Sequence, residues 1–391
     1  MSEFKGVKTD VITIYLKDRL DSKNAERIEN AIFDYIGENN EMPIVMDLKE
    51  LEYISSSGLR TLLRIKKSNK DFRVINVNSD VYEIFDMTGF NQIMDIEKAY
   101  RVVSVENCEE VGHGANGRVY RIDNDNVVKV YSDVNALEEI KHEREVAKKA
   151  LILGIPTAIS YDVVKVGDCY GSVFELLSSK SFSQILDEEP DKFQWCVDEA
   201  VKMLRRIHET EVDEGDLPEI RLKGISWAKY ISDYLPQDTA SKLISVFEKL
   251  PYDNHMVHGD FHSKNIHRVN SEVLIIDMDT LAVGHPVFEL AAMYSAFIGY
   301  NEGDSEGLKQ FLGIDLETAT KFFEAVVKGY LGDASDKYEE VLDKAKIVAY
   351  TRMIRRNIKR GMINEEKGKA QVELWTGRLI KLLEKYDSID F

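Results

Sequence analysis

His258-Gly259-Asp260-Phe261-His262-Ser263-Lys264-Asn265 places a carboxylate and a carboxamide five positions apart, and Leu274-Ile275-Ile276-Asp277-Met278-Asp279 follows after a turn. Phosphoryl transfer needs these types. Mg²⁺ takes hard oxygen ligands, which Asn265 and Asp277 supply together with phosphate oxygens and water. Asp260 orients an acceptor hydroxyl and accepts its proton late in a loose, in-line displacement. The joint spacing of the loop and of an aspartate ending an apolar strand is specific. Asp279 reads either as added negative charge near a second Mg²⁺ or as an exposed turn aspartate. A rival use of the stretch is a transition-metal hydrolase built from His258, Asp260, His262 and His267, with His255 nearby. That reading leaves the features upstream without a role.

Those features begin with Gly112-His113-Gly114-Ala115-Asn116-Gly117-Arg118-Val119, a G-x-G-x-x-G-x-V segment. A dinucleotide site would continue directly into a helix. Here VYRI, a turn at DNDN and VVKVY predict a β-hairpin instead, so Gly112, Gly114, Gly117 and Val119 form a loop whose backbone covers nucleotide phosphates. Lys129 lies on the second strand, as a solvated edge residue or as a contact to the α- and β-phosphates. In the second case a helix glutamate pairs with it. Glu145 is the better positional match and Glu143 the fallback. The strand Val173 to Leu177 leads into a loop and helix, which suits a connection between two lobes, with Glu175 and Leu177 offering backbone groups to adenine.

These residues need scaffolding on both sides. The helical region from about Gln194 to Lys249 and the carboxyl-terminal helices are expected to wall the acceptor cleft. Arg352, Arg355, Arg356 and Lys359 recur at helical spacings, read as a solvated face, with a phosphate or an acidic partner as the alternative. Trp227, Tyr230 and Tyr234 have the spacing of a packed helix face, with a cationic acceptor site as the alternative. After Asp279 the chain passes through LAVGHPVFELAAMY straight into a helix, leaving no room for a long activation loop or an A-P-E segment. The acceptor is therefore expected to be a small molecule.

The first hundred residues alternate β and α patterns, which predicts a small α/β domain. VITIYL reads as a strand, and Asp21 or Ser22 caps a helix carrying Ala25, Ile28, Ile32 and Tyr35. PIVMDL and FRVINV are further strands, followed by helices beginning near Ser56 and at Val81 to Phe85. At Ile54-Ser55-Ser56-Ser57-Gly58-Leu59 a hydroxyl run enters a helix. It serves as an N-cap, and a phosphate on Ser56 would also be tolerated at the positive helix end.

The order of elements, DLKELEYISSSGLRTLL and FDMTGF resemble the STAS, or anti-sigma-factor antagonist, family over about residues 1 to 100. The resemblance implies a non-catalytic, partner-binding domain with its regulatory phosphorylation site at Ser56, although Ser55 replaces the usual acidic residue. Residues 108 to about 385, through HGDFHSKN and IIDMDT, resemble the aminoglycoside phosphotransferase and choline kinase family. That implies ATP and Mg²⁺ use, a two-lobed fold and transfer to a hydroxyl of a small molecule. Many members have Asp in a tyrosine-aspartate-leucine-alanine segment where this chain has Phe288-Glu289-Leu290-Ala291, a helix expected to be supportive. The fold class expected is an α/β STAS-like sandwich followed by an α+β bilobal protein-kinase-like fold. Domains are placed at 1–104 and 105–391, with the small lobe at about 105–178 and the large lobe at 179–391.

The bulk numbers set limits on partners. Apolar residues make up 44% and charged residues 31% of 391, which permits proper cores. A net charge of -18 argues against general binding to nucleic acid or acidic membranes. The amino terminus lacks a signal-peptide core and no stretch reaches membrane-helix length, so a cytoplasmic location is expected. Cys108, Cys169 and Cys196 lack metal spacing and read as reduced thiols. Two further roles stay open: the phosphotransferase part acting on Ser56 of a STAS domain as a signalling switch, and an inactive binding scaffold.

Overall fold

Ile12, Ile14, Leu16 and Leu20 all turn inward along strand Ile12–Leu20, largely following the alternation that puts one face of a pleat on a core. In the computed structural model, which describes residues 4–37, 42–114, 117–176, 179–302 and 306–391, this strand pairs antiparallel with Phe4–Lys8 and parallel with Ile44–Ile54. Phe72–Val77 and Asp95–Lys98 extend the sheet in parallel. Each parallel step needs a crossover, supplied by helices Ala25–Ile36, Ser56–Ser68 and Ser79–Met87. Ile14, Met46, Leu62, Ile65, Val74 and Phe85 are fully buried between sheet and helices.

Asn24, rather than the expected Asp21 or Ser22, precedes the first helix, and it makes no capping bond. Its side chain is committed backwards, donating to the Arg19 carbonyl and accepting from the Asp21 N–H. Residues 1–107 and 163–171 form one compact unit, and residues 108–162 and 172–391 a second. The 163–171 segment, expected in the small lobe, groups with the first unit; Arg101–Val102 pair in parallel with Val164 and Lys165.

In the second unit, strands Glu109–His113, Gly117–Arg121 and Asn126–Tyr131 run antiparallel, with Val119 directly opposite Lys129. This is the predicted hairpin. Gly117 is needed for it, because a Cβ there would stand 2.2 Å from the Val130 carbonyl oxygen. Helix Leu137–Ile152 buries Ile140, Glu143, Val146, Ala147 and Ala150, one stripe at helical spacing. The remainder is mostly helical. All eleven residues of helix Val287–Phe297 are buried, as expected of a sequence (VFELAAMYSAF) apolar nearly all round. Helix Tyr338–Lys359 packs along it, and Phe297 meets Phe322 and Phe323 on another side. Cys169 and Cys196 are free thiols, and no described helix is long and apolar enough to cross a membrane.

Candidate active site

The loop His258–Asn265 has an unusual number of constraints on its backbone. Gly259 sits at φ +80°, where an added Cβ would lie 3.1 Å from the Thr280 carbonyl oxygen, so this position favours glycine on two counts. The His258 and Gly259 N–H groups both donate to Glu289, at 2.5 Å and 3.0 Å to its two oxygens. Thr280 Oγ1 donates to the His258 carbonyl, and Arg352 Nη1 donates to the Gly259 carbonyl at 2.9 Å. The His258 ring spans the loop, its Nδ1 accepting from the Asp260 N–H and its Nε2 donating to the Ile276 carbonyl. Asp260 is thereby fixed before any ligand arrives.

Asn265 Nδ2 donates to the Asp260 carbonyl at 3.0 Å, and the Asn265 carbonyl accepts from the Ile276 N–H, which ties the loop to the strand leading to Asp277. About a third of the Asp260 side chain stays open to the cleft, with His262 Nε2 3.4 Å from its Oδ2. Burial would raise its carboxyl, but the hydrogen bond from His262 and the positive charges around it, Arg352 among them, hold it well below the usual carboxylate range. It is ionised at neutral pH.

Lys129 projects from its strand into the same region. Nζ lies 2.9 Å and 3.1 Å from the two oxygens of Glu143 and 3.3 Å from Asp277 Oδ1. Desolvation would lower this ammonium, but Asp277 and Glu143 outweigh it and raise it. The glutamate that meets Lys129 is thus Glu143, and the expectation of Glu145 is corrected. Two residues along a helix is a rotation of about 200°, which leaves Glu145 exposed on the far side. Tyr131 also hydrogen-bonds Glu143.

Asp277 stands in the left-handed region at φ 67°, turning its carboxylate back towards Lys129 as the strand ends. Asp279, in the short turn after it, is half-buried rather than exposed. Burial, reinforced by the charges of Asp277 and Glu143, pushes its carboxyl up to about 7. Such crowding of carboxylates is relieved by a cation, and the Asn265 and Asp277 oxygens are the hard donors that Mg²⁺ prefers. Among the described residues no three His, Cys, Asp or Glu side chains form a metal cluster. A divalent ion would therefore need phosphate or water oxygens to complete its shell. The hydrolase alternative fails on the imidazoles themselves: both His258 nitrogens are engaged, and His267 contacts Ser179 Oγ and the Lys264 carbonyl.

A cavity of about 920 Å³ gathers these groups. Gly112, Gly114, Gly117, Val119 and Lys129 line it together with Asp260, Asn265 and Asp277. Val127, Phe174, Leu274 and Ile276 add apolar surface of the kind a planar base requires. Glu175 also lines it. The neighbouring Leu176 N–H is already donated to the Asp125 carbonyl and is unavailable to a ligand. Leu177 lies outside the described residues.

Residues 107–325 match the phosphotransferase enzyme family, more than half of the chain. The chain belongs to that family. The phosphotransferase also carries an amino-terminal STAS domain, matched over residues 5–103. That domain is 31% identical over 85 residues to BtrV of Bordetella bronchiseptica, named as an anti-sigma factor antagonist, covering 21% of this chain and 72% of BtrV. The fold of the phosphotransferase is similar to that of the aminoglycoside phosphotransferase APH(2'')-Ib bound to ADP, with a TM-score of 0.50 at 16% identity over 77% of this chain and 98% of the other. It is equally similar, at TM-score 0.50 and 12% identity over 72% and 94% of the two chains, to a thermostable APH(4)-Ia mutant in a ternary complex with ADP and hygromycin B.

Two parts of the phosphotransferase site escaped the sequence reading. Glu289 was expected only as part of a supportive helix, whereas it holds the His258–Asn265 loop by two backbone donors. Its signal was a lone carboxylate in an otherwise apolar helix, which must find partners to be buried. Arg352, Arg355 and Arg356 are half-buried and line the cavity, so the solvated-face reading is corrected; Lys359 alone is exposed as expected.

Proposed function

We propose that the second unit transfers the γ-phosphate of ATP to a hydroxyl of a small molecule, with Mg²⁺ as cofactor. The observation that carries this reading is the convergence of Lys129, Asp260, Asn265 and Asp277 on one cavity beneath a glycine-bearing hairpin. Gly112, Gly114, Gly117 and Val119 cover the nucleotide phosphates and Lys129 contacts them, positioned by Glu143. Asn265 and Asp277 would hold Mg²⁺, which when bound neutralises charge building on the phosphate oxygens. Asp260, held low in pKa and aimed by its anchored loop, orients the acceptor hydroxyl and takes its proton. Glu175 borders the nucleotide-base end. The passage from Thr280 to helix Val287–Phe297 in a few residues leaves no platform for a protein substrate, which supports a small acceptor.

A second role is favoured by one observation in the STAS domain. Ser55, not Ser56, accepts the capping bonds from the Ser57 and Gly58 N–H groups, leaving Ser56 exposed at the start of the helix. A phosphate there would meet the positive helix end. We infer that Ser56 is a modification site that alters binding of a protein partner, whichever enzyme writes the phosphate.

Incubating the protein with Mg²⁺ and labelled ATP, alone and with a panel of small alcohols, separates these readings. Label transferred to a small molecule, and lost in Asp260→Ala, is expected. ATP binding without any transfer, indistinguishable between wild type and Asp260→Ala, would point to an inactive scaffold. Label on Ser56, abolished by Ser56→Ala and by Asp260→Ala, would make the chain its own kinase.

A further inference from the structure

Helix Tyr338–Lys359 and the residue after it present Arg352, Arg355, Arg356 and Arg360 to the cavity. Arg352, Arg356 and Arg360 are four apart and so form one row of about 12 Å along the helix axis. The row starts at the reaction centre, because Arg352 donates to the carbonyl of Gly259, next to Asp260. Lys264, from the loop that carries Asp260, adds a further cation to the lining, which also holds Lys129 and Arg144.

None of the four arginines is ion-paired with a carboxylate among the described residues, in a protein whose net charge is -18. Their hydrogen-bond partners are neutral, Arg352 on the Gly259 carbonyl and Arg356 on the Tyr300 hydroxyl, although Arg352 also acts at a distance on Asp260. Arg355 Nε is buried without a hydrogen-bond acceptor. The carboxylates lining the cavity, Glu143, Glu175, Asp260, Asp277 and Asp279, all belong to the nucleotide and reaction-centre side. Like charges gathered at this density repel, and an anion relieves them.

The aromatic residues point the same way. Trp227 lines the cavity, but the Arg352 guanidinium lies 5.8 Å from its ring centre, and Arg355 lies 5.6 Å from that of Tyr230. One face of each ring, of the kind that would receive a cationic ligand, is thus already covered by the protein's own cation.

We propose that the acceptor is a hydroxyl compound that also carries an anionic group, a phosphate or a carboxylate, seated on the Arg355, Arg356 and Arg360 wall while its hydroxyl faces Asp260. Planar guanidinium forks suit both anions. This rests on the phosphotransferase reading of the same site and narrows its substrate class to exclude polycations.

The test uses the full chain, loaded with Mg²⁺ and ADP. Calorimetry first measures ADP binding, which reads the phosphotransferase assignment by itself; a protein that takes no ADP overturns that assignment and this inference with it. Matched ligands are then titrated into the loaded protein: glycerol and glycerol 3-phosphate, ribose and ribose 5-phosphate, glucose and gluconate, with kanamycin as polycation. The anionic member of at least one pair is expected to bind ten times tighter than its neutral partner or more. Arg355→Gln with Arg360→Gln should weaken that ligand roughly 10- to 100-fold, as loss of charge-assisted hydrogen bonds does, with lysine at both positions recovering part of it. Protein that binds ADP yet shows no preference for any anionic member, or prefers kanamycin, overturns the proposal and leaves the phosphotransferase reading standing. So does an anion preference unaltered in the arginine variant.

Discussion

Replacing Glu289 by Ala should cost both stability and turnover, and the structure sets the size of each. The side chain is fully buried and accepts from the N–H groups of His258 and Gly259. Its removal leaves two buried donors without partners, at about 1–3 kcal/mol each, or about 2–6 kcal/mol together. Native domains have only about 5–15 kcal/mol in hand. At roughly 2–4 °C per kcal/mol for a unit of this size, the melting temperature of the phosphotransferase unit should fall by about 4–24 °C in calorimetry. Glu289→Gln keeps an acceptor for one N–H but presents an amide donor to the other, so it should fall between. Because Gly259 adjoins Asp260, a loosened loop should also reduce Mg²⁺-dependent ATP turnover about 10²-fold, the scale of a 1 Å misplacement. ADP affinity should stay within about threefold, since Lys129 and the glycine hairpin are untouched. An alanine variant melting within about 2 °C of wild type, with full turnover, would refute the anchoring role.

Glu143→Gln should weaken Lys129 positioning and reduce ATP turnover at least tenfold, while Glu145→Gln should leave both turnover and melting temperature unaltered; kinetics on the pair checks the corrected assignment. In the STAS domain, Ser55→Ala should cost about 1 kcal/mol in urea unfolding as a lost cap, whereas Ser56→Ala should change stability by less than about 0.5 kcal/mol. The pH dependence follows from Glu289 too. Burial alone would raise its carboxyl, but the His208 and His258 imidazoles and the loop N–H groups hold it below its ordinary value. A carboxyl depressed in the folded state stabilises fully above its unfolded pKa of about 4.3 and loses that contribution as pH falls through the folded value. The stability gap between wild type and Glu289→Gln should hold from pH 7 to 5 and narrow below about pH 4.

Local order in the chain decided what could be read without coordinates. Asp260, Asn265 and Asp277 lie on one short loop and the strand after it, so their spacing already carries their geometry. The hairpin was legible because a glycine segment followed by β-branched runs and a DNDN turn excludes an immediate helix. Glu143 and Glu145 both sit on a plausible helix, and only the packing of Ile140, Ala147 and Ala150 decides which is turned to the sheet. The arginines of helix Tyr338–Lys359 pose the same difficulty more strongly. Helical spacing shows that they share a side, but whether that side meets water or a cavity depends on long-range packing against helix Val287–Phe297.

That last helix has a consequence for how the protein can change over time. Having no residue at the surface, it cannot open without dissolving the core, and its amides should be among the slowest to exchange with deuterium. The reaction loop hangs from it by Glu289, whereas the arginine wall stands half-open at the cavity. On the proposed roles, the groups that move a phosphate hang from a helix with no residue at the surface, while those that select its acceptor stand on side chains half-open to the cavity.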